Sequence, residues 1–202
     1  MSGSLHLAYV AVGANLADPV TQVAAAIRVL SAASGLRLLR ASSLYRTAPV
    51  GIRGQPDFIN AVMLVETALE PLPLLDTLFD IERRFGRRRE FRFAPRTLDL
   101  DLLLYDDWVI DSQRLSLPHP RMHLRAFVLV PLLEIATECR IPGRGAAAAW
   151  LPAVSGQRIE KIVGSMQDGS ALSAMALCCD LNGPWPSRRK TDDSTKISPG
   201  DA

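Results

Sequence analysis

Two acidic side chains near the middle of the sequence could hold a divalent cation. Asp99 and Asp101 alternate with leucines over residues 98–102, and on a strand this alternation places both carboxylates on one face, about 6–7 Å apart. Two carboxylates so close repel each other unless a cation lies beside them, and hard oxygen ligands at this spacing suit Mg²⁺ together with phosphate oxygens. For these residues alone, a half-exposed strand with a polar face remains an open alternative.

A dense group of arginines precedes the acidic strand. Residues 83–96 contain seven arginines, and guanidinium groups pair with phosphate oxygens and stay charged under all conditions. Cations beside a pair of carboxylates are what a magnesium-triphosphate site requires. The dipole at a helix end also favours cations, which accounts for Arg83 and Arg84. It does not account for the later arginines, which follow no helical period: Arg87, Arg89, Arg92 and Arg96.

A third group of residues could bind a flat ring. Phe58 and Asn60 alternate on one predicted strand, and Phe127 lies far along the chain. Two aromatic side chains can enclose a planar ring, while a side-chain amide pairs with the ring edge through a donor and an acceptor. The same pattern also fits core phenylalanines and an asparagine that finishes a turn.

The elements that must position these groups follow from the periodicity of the apolar residues. The predicted elements are strands at 7–12, 36–45, 58–67 and 97–105, and helices at 19–35, 71–86 and 126–136. Taken in chain order, the first six elements are strand, helix, strand, strand, helix and strand. This order predicts an α+β fold with a ferredoxin-like β-α-β-β-α-β core. In this fold, helices pack on an antiparallel sheet, and here extra C-terminal elements follow. We expect one domain over residues 5–182 and a disordered tail over 183–202, where apolar periodicity is lost.

Composition and charge narrow the class of protein. The 202 residues are 48% hydrophobic and 22% charged, as in ordinary globular domains. The net charge of +2 gives no support to general adhesion to DNA or membranes, and no apolar stretch approaches the roughly 18 residues of a membrane helix. Three cysteines without C-x-x-C spacing argue against a disulfide framework or a structural zinc and favour a reducing, cytoplasmic location.

Six blocks of the sequence, taken together and in this order, resemble one enzyme family. The blocks cover residues 8–16, 43–49, 55–61, 81–87, 95–101 and 118–127. The family is 6-hydroxymethyl-7,8-dihydropterin pyrophosphokinase of folate biosynthesis, and the resemblance extends over residues 8–136. The block at 95–101, which contains both aspartates, is the most specific of the six.

The resemblance implies transfer of a pyrophosphoryl group from ATP to the hydroxymethyl group of a reduced pterin, with AMP as the other product and two Mg²⁺ ions as cofactors. It implies that the metal ligands are Asp99 and Asp101. The implied catalytic residues are Arg87, Arg92, Asp99 and Asp101. The residues implied to bind the pterin are Thr47, Pro49, Val50, Phe58, Asn60 and Phe127. Those implied to surround ATP are Arg87, Arg89, Arg92, Arg96, Arg114, Ser116, His119 and Arg125.

Catalysis is expected to rest on positioning and charge stabilisation, because no side chain in the matching blocks is a convincing general base. The arginine-rich segment 83–96 is expected to close over the nucleotide as a mobile lid that excludes water. The expected partners are the small-molecule substrates, without nucleic acid or membrane. We expect a monomer, although the sequence leaves a dimer open.

The alternative from a different class is a nucleic-acid-binding module, since ferredoxin-like sheets with aromatic residues and arginine loops also bind RNA. The charges of Asp99 and Asp101 and the near-neutral total charge disfavour it. The sequence also lacks the aromatic signature of RNA-recognition sheets. It contains no glycine-rich phosphate loop either, so a nucleotide site here must use side-chain cations.

Overall fold

The computed structural model describes residues 4–49, 54–86 and 97–162. The strands are β1 (His6–Ala14), β2 (Leu36–Ala41), β3 (Tyr45–Thr47), β4 (Phe58–Thr67), β5 (Asp99–Tyr105), β6 (Ile110–Asp111), β7 (Ser116–Leu117), β8 (Arg140–Ile141), β9 (Gly145–Ala146) and β10 (Ile159–Lys161). The helices are α1 (Pro19–Ser31), α2 (Pro71–Arg84), α3 (Ala126–Ile135) and α4 (Leu151–Val154), and two 3-10 turns cover Met122–Leu124 and Ala147–Trp150. The predicted tail and the C-terminal boundary of the predicted domain lie outside the described residues.

The main sheet of the described chain has six strands, and every pair in it is antiparallel. Strand β4 pairs with β1 along one edge and with β2 and then β3 along the other. Strand β5 adds to the free edge of β1, and β10 adds to β3. The predicted ferredoxin-like core with an antiparallel sheet is therefore confirmed, and β10 is one of the extra C-terminal elements.

The second strand differs from its prediction. The sequence predicts one strand over 36–45, whereas the structure has β2 and β3 separated by residues 42–44. At the break, the Ser42 hydroxyl accepts the N–H of Val62 at 2.9 Å and donates to the carbonyl of Ser43 at 2.8 Å. A side chain thus replaces a backbone group in the ladder with β4, and such local competition interrupts a strand.

The helices cover both faces of the sheet. Helices α1 and α2 pack on the face formed by Val10, Val12 and Leu100, all nearly fully buried. Helix α3 packs on the opposite face, against Tyr9 and Val62 among others. Strand β1 pairs with β5 through an irregular register at Tyr9 and Val10. Among the described residues, no helix is both long enough and apolar enough to cross a membrane.

The predicted element boundaries differ by a few residues. Helix α1 ends at Ser31 rather than 35, and a turn through Gly35, which takes a left-handed conformation with φ of 78°, leads into β2. Helix α2 ends at Arg84 and is followed by Gly86 with φ of 75°. Helix α3 runs to Ile135 with Pro131 inside it, as the sequence predicts.

Candidate active site

Strand β5 presents its two aspartates on the face opposite its buried leucines. Leu100 and Leu102 are 2% and 3% exposed and belong to the core under α1 and α2. Asp99 and Asp101 are half-buried and point to the other side. The alternation predicted from the sequence is therefore confirmed, and the two carboxylates share the face that carries α3.

A row of short side chains connects the acidic pair to the neighbouring strands. Asp99 lies opposite Gly13 of β1, and Gly13 lies opposite Asn60 of β4. Since directly opposed residues project from the same face of a sheet, these three residues form one row. Thr47 of β3 lies opposite Phe58 of β4, in the adjacent row of the same face. The sheet thus places predicted metal ligands and predicted ring-binding residues on one surface.

Gly13 is required by the position of Asn60. A Cβ at residue 13 would lie 2.8 Å from Oδ1 of Asn60, closer than real Cβ contacts allow. The amide of Asn60 is held in this position, because its Nδ2 donates to Oγ1 of Thr47 at 2.8 Å and both residues are buried. The absence of a side chain at Gly13 therefore leaves room for the Asn60–Thr47 hydrogen bond.

Two cationic or polar groups lie beside Asp101. Its Oδ2 is 3.5 Å from Nη1 of Arg125 and 3.9 Å from Nε2 of His119. Both distances exceed those of a strong charge-assisted hydrogen bond. At these distances the Asp101 carboxylate makes no close hydrogen bond to either of the two groups.

The protonation of His119 follows from its surroundings. Burial, with the nearby charges of Arg125 and Arg121, lowers the pKa of His119 to about 4, so the ring is neutral near pH 7. Its Nδ1 accepts the N–H of Arg121 at 3.2 Å and so cannot carry the proton. The proton therefore resides on Nε2, which faces Asp101, and His119 acts as a hydrogen-bond donor at this point.

A cleft opens between β3 and the start of α3. Its lining residues are Thr47, Ala48, Pro49, Ala126, Phe127, Gln157 and Arg158. Three of these, Thr47, Pro49 and Phe127, are predicted ring-binding residues. The guanidinium of Arg125 lies 5.3 Å from the centre of the Phe127 ring, so the cleft adjoins the cation beside Asp101.

Gln157 and Arg158 are site residues that the sequence analysis missed. They precede β10, which pairs with β3 and so brings them next to Thr47. Arg158 forms an ion pair with Asp57 at 2.6 Å, at the entry to β4. No motif marks these two residues in the sequence; only the addition of β10 to the sheet edge places them there.

Glu82 of helix α2 forms a hydrogen bond with the acidic strand β5. It is 2% exposed, and its Oε1 accepts the N–H of Leu100 at 2.7 Å. This N–H belongs to the residue between the two aspartates, and β5 has no neighbouring strand on that edge within the described sheet. The hydrogen bond therefore fixes the acidic segment of β5 to helix α2.

The other predicted site residues divide into two groups. Arg114 forms an ion pair with Asp76 of α2 at 2.6 Å, and Ser116 contacts Asp111 at 3.5 Å; these contacts are local to the β6–β7 hairpin and α2. The second group lies outside the described residues and consists of Val50, Arg87, Arg89, Arg92 and Arg96.

The donor atoms at the acidic pair fit a magnesium ion. Asp99 and Asp101 offer hard carboxylate oxygens on one face, and Mg²⁺ is commonly held by one or two carboxylates together with substrate phosphates and water. Within residues 4–49, 54–86 and 97–162, no group of three or more His, Cys, Asp or Glu side chains could hold a metal ion.

The described site therefore combines a carboxylate pair, two hydrogen-bond donors beside it and a cleft that Phe127 lines, on a ferredoxin-like sheet. Comparisons with known proteins specify the class. The family model for 7,8-dihydro-6-hydroxymethylpterin-pyrophosphokinase matches residues 9–137, more than half of the chain.

Bacterial relatives agree with this match. A Haemophilus influenzae protein is 49% identical over 135 residues, which cover 67% of this chain and 84% of the relative. A Pseudomonas aeruginosa protein is 43% identical over 157 residues, which cover 78% of this chain and 97% of the relative. Both are named 2-amino-4-hydroxy-6-hydroxymethyldihydropteridine pyrophosphokinase.

A solved structure shares the fold. A crystal structure of Plasmodium falciparum HPPK-DHPS with pteroate superposes with a TM-score of 0.62 at 13% identity. The match covers 80% of this chain but 48% of the longer chain, so this protein spans about half of that one. At this identity, the likeness shows the fold alone.

The chain belongs to the 7,8-dihydro-6-hydroxymethylpterin-pyrophosphokinase family. The family predicted from the sequence blocks is thereby confirmed, as is the prediction of a pyrophosphokinase of folate biosynthesis. The relatives and the structure described above give no support to the nucleic-acid-binding alternative.

Proposed function

We propose that this chain transfers the pyrophosphoryl group of ATP to the hydroxymethyl group of 6-hydroxymethyl-7,8-dihydropterin and releases AMP. Membership of the family supports the reaction. The observation that carries the proposal is the common sheet face, because it holds the acidic pair of β5 together with three residues predicted to bind the ring, Thr47, Phe58 and Asn60. Both substrates could therefore meet over one surface.

The phosphate side of the site is assigned to four residues. Asp99 and Asp101 would hold magnesium, and the resemblance implies two ions. Bound there, Mg²⁺ would neutralise triphosphate charge and stabilise the leaving oxygen. Arg125 and His119 lie 3.5 and 3.9 Å from Asp101. They would contact phosphate oxygens, Arg125 as a fixed cation and neutral His119 as a donor through Nε2.

The ring side is assigned to the cleft and to the adjacent row of β4. Phe127 and Pro49 provide apolar walls, and Thr47 lies at the base of the cleft, where its hydroxyl accepts from Asn60. Asn60 would then hydrogen-bond to the edge of the pterin, and Phe58 would stack on its ring, as the resemblance implies. Val50 keeps its predicted role in the pocket wall.

The remaining nucleotide residues stay predictions. Arg87, Arg89, Arg92 and Arg96 are expected to surround the triphosphate and, with their segment, to cover it. Arg114 and Ser116 are expected near the nucleoside. For Arg114, nucleotide binding would compete with its exposed ion pair to Asp76, which costs little because exposed ion pairs contribute about 0–1 kcal/mol.

The chain's own residues would act by placement and by charge. The acidic pair, Arg125 and His119 would align the β-phosphorus with the substrate hydroxyl, and holding reactants in line lowers the barrier by removing orientational freedom. Neutral His119 would donate a hydrogen bond from its Nε2–H to a developing negative charge and keep its proton. No described side chain is assigned the role of general base.

An AMP-release assay tests the proposed reaction. The purified chain is incubated with ATP and 6-hydroxymethyl-7,8-dihydropterin, with Mg²⁺ or with excess chelator. AMP is expected to form only when both substrates and the metal ion are present. Release of ADP instead of AMP, or equal rates without the pterin, would contradict pyrophosphoryl transfer to the pterin.

Location and assembly are proposed on sequence grounds. The cysteine content supports a cytoplasmic protein, and we propose a monomer, as expected from the sequence. Light scattering over a range of protein concentrations tests the second point, since a dimer would show a mass twice the 22.0 kDa of the chain.

A further inference from the structure

The start of helix α3 carries two residues of the candidate site but has no side-chain cap of its own. Arg125 occupies the N-cap position, where Ser, Thr, Asp or Asn usually accepts a hydrogen bond from the first turn. An arginine side chain has only donors and cannot do this. Its guanidinium lies instead beside Asp101, so the helix start needs another acceptor.

Gln157 supplies that acceptor from a distant part of the chain. Its Oε1 accepts the N–H of Ala126 at 2.9 Å. Its Nε2 donates to the carbonyl of Leu124 at 2.8 Å. Because these partners lie on either side of Arg125, a single amide side chain fixes the backbone before and after this residue.

The segment that carries Gln157 is itself held in place. The backbone N–H of Gln157 donates to the carbonyl of Val154 at 3.0 Å. Two residues further on, Ile159 begins β10 and pairs with Thr47 of β3. Gln157 therefore connects the start of α3 to the edge of the main sheet, across the cleft that both elements line.

We propose that Gln157 is a positioning residue that holds Arg125 and Phe127 in place at the site. Arg125 faces the acidic pair and Phe127 walls the cleft, so a shift in the first turn of α3 would disturb the phosphate side and the ring side together. The proposal rests on the proposed function of this site. Gln157 lies beyond the residues 9–137 that match the family model.

Three variants test the proposal. Gln157→Leu keeps the size of the side chain and removes both hydrogen bonds, whereas Gln157→Glu keeps an acceptor for Ala126. Lys161→Met is the matched control, since it lies at the other end of β10 and removes a bond of 2.8 Å to Glu134 of α3. The measurements are kcat, KM for each substrate and the free energy of unfolding.

The expected results separate positioning from stability. Loss of one hydrogen bond of about 1 kcal/mol corresponds to roughly a fivefold change in an equilibrium or rate constant. Because Gln157→Leu removes two hydrogen bonds, we expect it to lower kcat/KM for the pterin by about tenfold or more. Gln157→Glu should recover part of that loss. Lys161→Met should lower stability and leave kcat and both KM values unchanged. If Gln157→Leu shows only the loss of stability seen in Lys161→Met, the proposal is wrong.

A measurement without substrates separates this proposal from the proposed reaction. Amide hydrogen exchange over residues 124–128 should be faster in Gln157→Leu than in the wild type and unchanged in Lys161→Met. Unchanged exchange in Gln157→Leu would refute the connection itself, whatever the activity. Faster exchange in Gln157→Leu together with an inactive wild type would support the role of Gln157 at the start of α3 and refute the pyrophosphoryl transfer.

Discussion

A carboxylate–histidine pair lies at each end of strand β5, and the two pairs differ in how completely the protein binds the carboxylate. Asp106 lies just after the strand. One of its oxygens is 2.7 Å from Nδ1 of His6, and the other accepts the N–H of Leu7 at 2.8 Å. Asp101, near the start, has longer contacts of 3.9 Å to His119 and 3.5 Å to Arg125.

The surroundings of the two pairs differ in the same sense. The ring of His6 lies 5.0 Å from that of Tyr105 and 5.8 Å from that of Trp108, so aromatic side chains pack against the histidine at that end. At the other end, Arg125 lies beside Phe127, which lines the cleft. The same residue types thus serve structure where both carboxylate oxygens are bound, and we propose that they serve ligand binding where a carboxylate oxygen has only long contacts.

The largest effect is expected from replacing Asp101, the carboxylate whose contacts are the longer ones. Asp101→Ala removes a predicted magnesium ligand and should lower kcat in the AMP-release assay by roughly 10³-fold or more, which is about 4 kcal/mol of barrier. Its stability should change little, because the contacts of Asp101 within the described chain are long.

The matched control is the carboxylate at the other end of β5. Asp106→Ala leaves the N–H of Leu7 and the ring of His6 without their partner, so unfolding free energy should fall by about 1–3 kcal/mol while kcat stays near that of the wild type. A large loss of turnover in Asp106→Ala, or none in Asp101→Ala, would break the distinction between the two ends.

A smaller effect is expected for the two histidines. His119→Ala removes a neutral donor beside the acidic pair and should lower kcat by about tenfold to a hundredfold, the range of a single hydrogen bond to a charged group. His6→Ala should lower stability and leave turnover unchanged. Steady-state kinetics and urea unfolding of both variants check this, and similar kinetics in the two would contradict it.

Much of the fold could be predicted because it follows from local patterns. The alternation in β5, the proline at the start of α1 and the glycine after it each specify their element. The break between β2 and β3 could not be predicted, since it depends on the Ser42 hydroxyl reaching Val62 across the sheet. Nor does the short segment 159–161 show by itself that it will join β3.

The candidate site was predictable where its residues lie in the matching blocks. His119 and Arg125 were assigned to phosphates, and the structure places both beside Asp101. The sequence gives no indication that Nε2 carries the proton of His119, because that depends on a backbone N–H of Arg121. Gln157 escaped prediction for a similar reason: its amide acts on backbone groups about thirty residues away, which leaves no side-chain pattern.

A further prediction concerns the space between the acidic pair and the ring-binding residues. Gly13→Ala would place a Cβ 2.8 Å from Oδ1 of Asn60, so the amide must move and weaken its bond to Thr47. We expect KM for the pterin to rise by about five- to tenfold, the equivalent of one hydrogen bond. Gly156→Ala is the control, because a Cβ there meets nothing within 4 Å. Equal KM values in the two variants would contradict this account of Gly13.

Glu134 extends the comparison to a third carboxylate and gives the smallest expected effect. Burial acts to raise the pKa of Glu134, but hydrogen bonds from Lys161, Ser43 and Tyr45 outweigh it and hold that pKa below its ordinary value of 4.5. A carboxyl whose pKa is lowered by folding stabilises the protein above its unfolded pKa, and this contribution is lost as the pH falls through the folded pKa.

Glu134→Gln tests this assignment, because glutamine does not titrate. The wild type should be more stable than the variant at pH 7, and the difference should shrink as the pH falls below 4.5, whereas turnover at pH 7 should be the same in both. Urea unfolding at pH 7, 5.5 and 3.5 measures the difference. A constant difference over this range would mean that the Glu134 charge contributes nothing. A loss of turnover would place Glu134 with Asp101, among the carboxylates that serve the reaction, rather than with Asp106.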